Sequence, residues 1–155
     1  MGPRALSFHA RDGTRLRYLL HLPPGHVAPQ PGAPQPAARH AGALQAGGWP
    51  LVLCLHGAGE RGEEPAGVLV HGLARRLLDD PGFPALVLAP LCPAEATWLE
   101  LAPALLELLD EAAGRLGADP ARVHVTGLSM GGMGAWWLGL LAPERFASVV
   151  PVCGL

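Results

Sequence analysis

The chain has 155 residues, half of them hydrophobic and only 15% charged, with a formal net charge of −2. A chain of that length and composition can bury a real core and is not globally disordered. All 11 basic residues are arginine, which excludes a Walker-type phosphate loop, a Schiff-base lysine and a Ser–Lys dyad. The longest basic run, Arg75-Arg76, leaves no footprint for nucleic acid.

Met1-Gly2-Pro3-Arg4 leads straight into charged, alternating sequence with no signal-peptide pattern, and no apolar stretch reaches the ~18 residues of a membrane span. The three cysteines, Cys54, Cys92 and Cys153, have no metal-ligand spacing. The expectation is a cytoplasmic protein with free thiols, no internal disulfide, no metal and no cofactor.

Leu6 to Leu22 reads as a β-hairpin turning at Asp12-Gly13, with Leu16, Tyr18 and Leu20 alternating along its second arm. Residues 23–49 are rich in Pro, Ala, Gly and Gln without apolar periodicity, and are expected to form a flexible loop. Leu51-Val52-Leu53-Cys54-Leu55 is a continuous apolar run, the pattern of a strand buried on both faces of a parallel sheet. A helix is expected over roughly Val68 to Leu78. The next buried strand runs from Ala85 to Ala89, stopped by Pro90. From Leu101, apolar residues recur at 105, 108, 109, 112 and 116, a helical period that ends at Gly117. Val123 to Thr126 reads as a third buried strand, Gly132 to Leu141 as a small-residue-rich helix and Ala147 to Val152 as a fourth strand. The order β-α-β-α-β-α-β behind a hairpin predicts an α/β fold: a mostly parallel sheet with helices on both faces, in one domain spanning 1–155.

Two motifs carry chemistry. Gly127-Leu128-Ser129-Met130-Gly131 lies between a β-branched strand and a helix, where a nucleophile elbow must lie. A serine there takes up a strained backbone that lifts Oγ clear of the sheet, and Gly127 and Gly131 allow strand and helix to approach beneath it. The Met130 N–H faces the carbonyl that Ser129 would attack, at the positive end of the helix. A dinucleotide fingerprint on the same glycines fails, because Trp137 stands where a small residue is required. The second motif, His56-Gly57-Ala58-Gly59-Glu60-Arg61-Gly62, follows the first parallel strand, on the sheet edge where α/β folds bind ligands. Ala58 is the candidate second oxyanion donor, Gly57 and Gly59 allow the turn, and His56 is read as a structural tether. Glu60 and Arg61 form either a local ion pair or a solvated charge cluster.

Together with His71-Gly72, Pro90-Leu91-Cys92-Pro93, Trp98, Pro143-Glu144-Arg145-Phe146-Ala147 and Pro151-Val152-Cys153-Gly154, these motifs resemble the esterase and depolymerase-like branch of the α/β-hydrolases, described as phospholipases, carboxylesterases or peptidases. The resemblance covers roughly Pro50 to Leu155. It implies Ser129 as nucleophile, Ala58 and Met130 as oxyanion donors and a small-molecule ester or acyl substrate. His71 matches a frequent position of that branch, and packing or loop tethering is expected of it.

In that fold the triad runs Ser, then Asp or Glu, then His. All seven histidines (9, 21, 26, 40, 56, 71, 124) precede Ser129, and Glu144 is the one acid after it. The expectation is an incomplete α/β-hydrolase fold, the N-terminal portion of a truncated serine hydrolase that is inactive or weak because triad acid and histidine are absent. A catalytically dead binding or interaction module, and an enzyme with a rearranged base, are the other readings. Self-association through the C-terminal strand is expected.

Overall fold

Six strands form one mixed sheet in the order β1-β2-β4-β3-β5-β6. The computed structural model describes residues 2–29 and 48–154. β1 (Arg4–His9) and β2 (Arg15–His21) are the antiparallel hairpin, and Gly13 takes the positive φ of 89° that its turn requires. β2 runs antiparallel to β4 (Leu86–Leu91), whereas β3 (Trp49–Leu55), β4, β5 (Ala118–Leu128) and β6 (Ser148–Val152) are mutually parallel.

Apolar residues on both sides of β3 and β4 let helices cover both faces of the sheet. Leu51, Leu53, Leu86 and Leu88 join one core with Leu105, Leu108 and Leu109 of α2 (Ala102–Leu116) and with Ala135 and Leu138 of α3 (Met130–Leu141). Cys54, Val87 and Leu91 point the other way, onto Ala74 and Leu77 of α1 (Gly72–Asp79). The helical period read over 105–116 corresponds to α2, which ends on Gly117 in the left-handed conformation (φ 67°).

Several boundaries differ from expectation, among them the third parallel strand, read over Val123 to Thr126 but running Ala118–Leu128. Pro90 does not stop its strand: it lies inside β4, opposite Tyr18 of β2. The β3–β4 pairing ends at Leu53–Leu88, so the missing N–H of Pro90 breaks no rung on that side. The helix read over Val68 to Leu78 is two pieces, a 3₁₀ turn at Pro65–Leu69 and α1, separated by Val70-His71, with Gly72 opening α1 at φ 65°. Of the loop read over 23–49, residues 30–47 lie outside the described residues. Its first part is held at the end of α2, where His26 Nε2 lies 2.8 Å from the Leu116 carbonyl.

Candidate active site

β5 and α3 meet at a single residue, Ser129, whose φ of 54° and ψ of −115° lie in a region that side-chain-bearing residues rarely occupy. The Ser129 N–H donates to the Val152 carbonyl at 2.8 Å, and the Ser129 carbonyl accepts from Met133 at 3.0 Å. The turn is too tight for side chains beneath it. A Cβ on Gly127 would stand 2.2 Å from the Gly131 oxygen, one on Gly131 2.0 Å from the Leu55 oxygen, and one on Gly132 2.6 Å from the Val152 oxygen. Met130 is the first residue of α3, where unpaired amides and the helix dipole favour developing negative charge.

The second motif leaves the sheet beside the first, because Leu55 at the end of β3 is in register with Gly127 of β5. Residues Ala58–Glu60 make one 3₁₀ turn. A Cβ on Gly57 would lie 3.5 Å from the Leu128 oxygen and 3.7 Å from Ser129 Cβ, so the loop abuts the elbow. Gly57, Ala58, Glu60, Arg61, His71 and Ser129 share an open cleft of about 660 Å³.

His56 is spent on holding this loop. Its Nε2 accepts the Cys92 N–H at 2.9 Å, its Nδ1 donates to the Gly57 carbonyl at 2.6 Å, and its own carbonyl accepts the Trp98 indole N–H at 2.9 Å. Both ring nitrogens are therefore occupied in the neutral form. Burial holds its pKa below the ordinary histidine value, against the opposing Gly57 hydrogen bond. Trp98 is fully buried and stacks edge-on against the His56 ring at 4.9 Å. Its anchoring role escaped the reading of the residues, although Trp98 and Cys92 both stood among the motifs of the resemblance.

Glu60 and Arg61 do not pair with each other: Arg61 is exposed, whereas the Glu60 side chain is largely covered. Arg61 donates through Nε to the Ala58 carbonyl at 3.2 Å and through a terminal nitrogen to Ala96 at 3.4 Å. Glu60 turns the other way, with Oε1 4.0 Å from His71 Nε2. His71 is thus a cleft residue.

Other titratable groups stand apart. His124 Nδ1 is 2.8 Å from Ser148 Oγ, a cross-strand contact between β5 and β6 about 13 Å down the strand from the elbow. Glu144 lies beyond the far end of α3, roughly 18 Å from Ser129. Burial pushes the Cys54 and Cys92 thiols up to about 11, so neither is a thiolate near neutrality. All three cysteines are free. Among the described residues, no group of acids, histidines and cysteines is arranged to hold a metal ion, and no helix is long and apolar enough to cross a membrane.

Residues 93–155 match the family model described as Putative esterase. No curated protein matches the chain. Among solved structures, a thermostable esterase is 28% identical with a TM-score of 0.69, over 98% of this chain and 40% of its own. An S-formylglutathione hydrolase from Staphylococcus aureus aligns at 17% identity and TM-score 0.64, over 97% of this chain and 56% of its own. An acetyl xylan esterase from Aspergillus awamori aligns at 15% identity and TM-score 0.65, over 97% and 53%. The chain thus spans about half the length of these structures. The fold is that of the α/β-hydrolases, and the likeness is to their esterases.

Proposed function

We propose that Ser129 is the nucleophile of an ester hydrolase, attacking an ester or related acyl carbonyl to form a Ser129 acyl-enzyme that water then clears. Ala58 and Met130 supply the backbone N–H groups that hold the oxyanion, and Gly57, Gly59, Gly127, Gly131 and His56 keep those amides in place. The observation that carries this reading is the left-handed backbone of Ser129 at a strand-to-helix junction against the His56–Gly59 loop. The substrate is a small-molecule ester, and no cofactor takes part.

A fluorophosphonate probe tests the assignment, since it reacts with a serine whose oxyanion is stabilised. Peptide mass mapping should place the adduct on Ser129, and Ser129→Ala should abolish it. An adduct elsewhere, or none, overturns the assignment. With p-nitrophenyl esters this chain should turn over at least ~10³-fold more slowly than an esterase with a complete triad, because among the described residues no histidine hydrogen-bonds to Ser129 Oγ to act as general base.

A second reading, a catalytically dead binding module, is favoured by one observation. Among the described residues no side chain hydrogen-bonds to Ser129 Oγ, and His56, its neighbour in the facing loop, has both nitrogens engaged. Labelling without any Ser129-dependent turnover would decide for the module, and turnover lost in Ser129→Ala for the enzyme.

Self-association belongs to the same proposal. Among the described residues β6 pairs with β5 alone and leaves Val150 and Val152 exposed, beside exposed Trp136, Trp137 and Leu140 of α3. An uncharged strand edge next to apolar surface invites another chain. Light scattering should find oligomers that Val150→Lys reduces. A monomer at high concentration would refute this.

A further inference from the structure

Glu60 is an unusual acid for a loop on the surface. Its side chain is only 8% exposed, yet among the described residues no hydrogen bond ends on its carboxylate. The nearest basic group, His71 Nε2, stands 4.0 Å away, beyond hydrogen-bond distance, on a side chain that is 62% exposed. The chain thus covers most of this side chain while leaving its carboxylate oxygens without a hydrogen-bond donor of their own.

Glu60 also lies close to the reacting centre. The point a Gly57 Cβ would occupy is 3.1 Å from Glu60 Oε2 and 3.7 Å from Ser129 Cβ. The carboxylate and the nucleophile therefore flank the space of one missing methyl group. Glu60 lines the open cleft with Ser129 and also a smaller apolar cavity of about 110 Å³ behind it. Glu64 lines the cleft with Glu60, Glu63 is paired with Arg17 at 3.3 Å, and the guanidinium of Arg61 is turned onto the Ala58 and Ala96 carbonyls.

We propose that Glu60 is a recognition residue for a substrate ammonium group carried a few bonds from the scissile carbonyl, so that the cleft prefers amino-substituted esters over their neutral isosteres. This rests on the cleft over Ser129 being the ester site. A substrate N–H⁺ supplies the charge-assisted hydrogen bond that the chain leaves unmade, and a site that hydrogen-bonds a polar group of the substrate discriminates against the isostere lacking it. His71 borders the same carboxylate from the solvent side.

The test is a binding measurement, so it does not depend on turnover. β-Alanine methyl ester carries an ammonium where methyl butyrate carries a methyl group, and the two are otherwise nearly isosteric. Their binding to the Ser129→Ala chain is followed by ligand-observed NMR at pH 8. The expected result is at least a ~10-fold preference for the ammonium ester, lost in a Glu60→Gln chain and kept in Glu64→Gln. A structural role for Glu60 would weaken both esters together and leave their ratio unchanged. Equal binding of the two esters in the Ser129→Ala background overturns the proposal, as does a preference that survives Glu60→Gln. Should Glu60→Gln fail to fold, loss of the preference at high salt in the parent background takes its place, and a salt-insensitive ratio counts against the proposal. Absence of the fluorophosphonate adduct on Ser129 alongside an intact preference would instead sink the nucleophile and leave the recognition residue standing.

Discussion

At the elbow, backbone meets backbone: Gly127, Gly131 and Gly132 leave room for carbonyls that would stand 2.0 to 2.6 Å from any added Cβ. In the facing loop, the geometry is carried by side chains reaching from afar. His56 takes its partners from Cys92 and Trp98, 36 and 42 residues along the chain, and Arg61 ties the turn to Ala96. The two regions border one cleft but are stabilised by different physics. Steric exclusion is all-or-none and indifferent to pH, whereas hydrogen bonds are graded and, where a histidine takes part, depend on protonation. Substitutions in the elbow should thus act through folding, and substitutions in the loop through the precision of the site.

The largest effect is expected at Gly131. Its Cβ would collide with the main chain of β3 at Leu55, and neither strand nor helix can move without opening the sheet. Gly131→Ala should cost more than about 3 kcal/mol in chemical denaturation, at the severe end of overpacking, or prevent folding altogether. A variant within about 1 kcal/mol of the parent would show that the elbow is not sterically locked.

The same division explains what the sequence disclosed. The buried strands, α2 with its Gly117 stop, and the elbow were legible, because each is written in a contiguous pattern of apolar residues or glycines. The loop was legible as a motif but not as a structure. Its tethers lie on β4 and on the turn before α2, and only the folded sheet brings those beside β3. That Glu60 faces His71 rather than Arg61 was equally hidden. In a 3₁₀ turn consecutive side chains diverge by about 120°, so neighbours in sequence face different partners. Pro90 misled for a related reason: its effect on a strand depends on which side still has a neighbour, and that is a property of the sheet.

An intermediate effect is expected at Trp98. Trp98→Phe keeps most of the ring against α3 and His56 but removes the indole donor from the His56 carbonyl, which is buried. A loss of about 1–3 kcal/mol is expected, the cost of an unsatisfied buried acceptor. Ser129 labelling should slow by more than the stability loss alone explains, because the loop bearing Ala58 loses an anchor. A labelling rate that tracks only the folded fraction would mean that the anchor does not position the site.

The smallest effect separates the two regions by pH. Burial lowers the pKa of His56 in the folded chain, so below the ordinary histidine value near 6.5 the unfolded chain binds a proton that the folded chain resists. Stability from this group is full above about pH 6.5 and declines as pH falls, with a slope of at most about 1.4 kcal/mol per pH unit. His124 contributes with the same sign, its pKa lowered by partial burial and then by Arg122, so the measurement is made in a His124→Asn background. Protonation of His56 at Nε2 turns the acceptor of the Cys92 N–H into a donor, and that amide must then find another partner. Hydrogen exchange, corrected for its intrinsic pH dependence, should therefore show the Cys92 amide losing protection between pH 7 and pH 5. The Ser129 amide, bonded to the main-chain carbonyl of Val152, should stay protected until the whole domain opens. Parallel loss at both amides would mean that loop and elbow open as one unit, and the contrast between their physics would not extend to their dynamics.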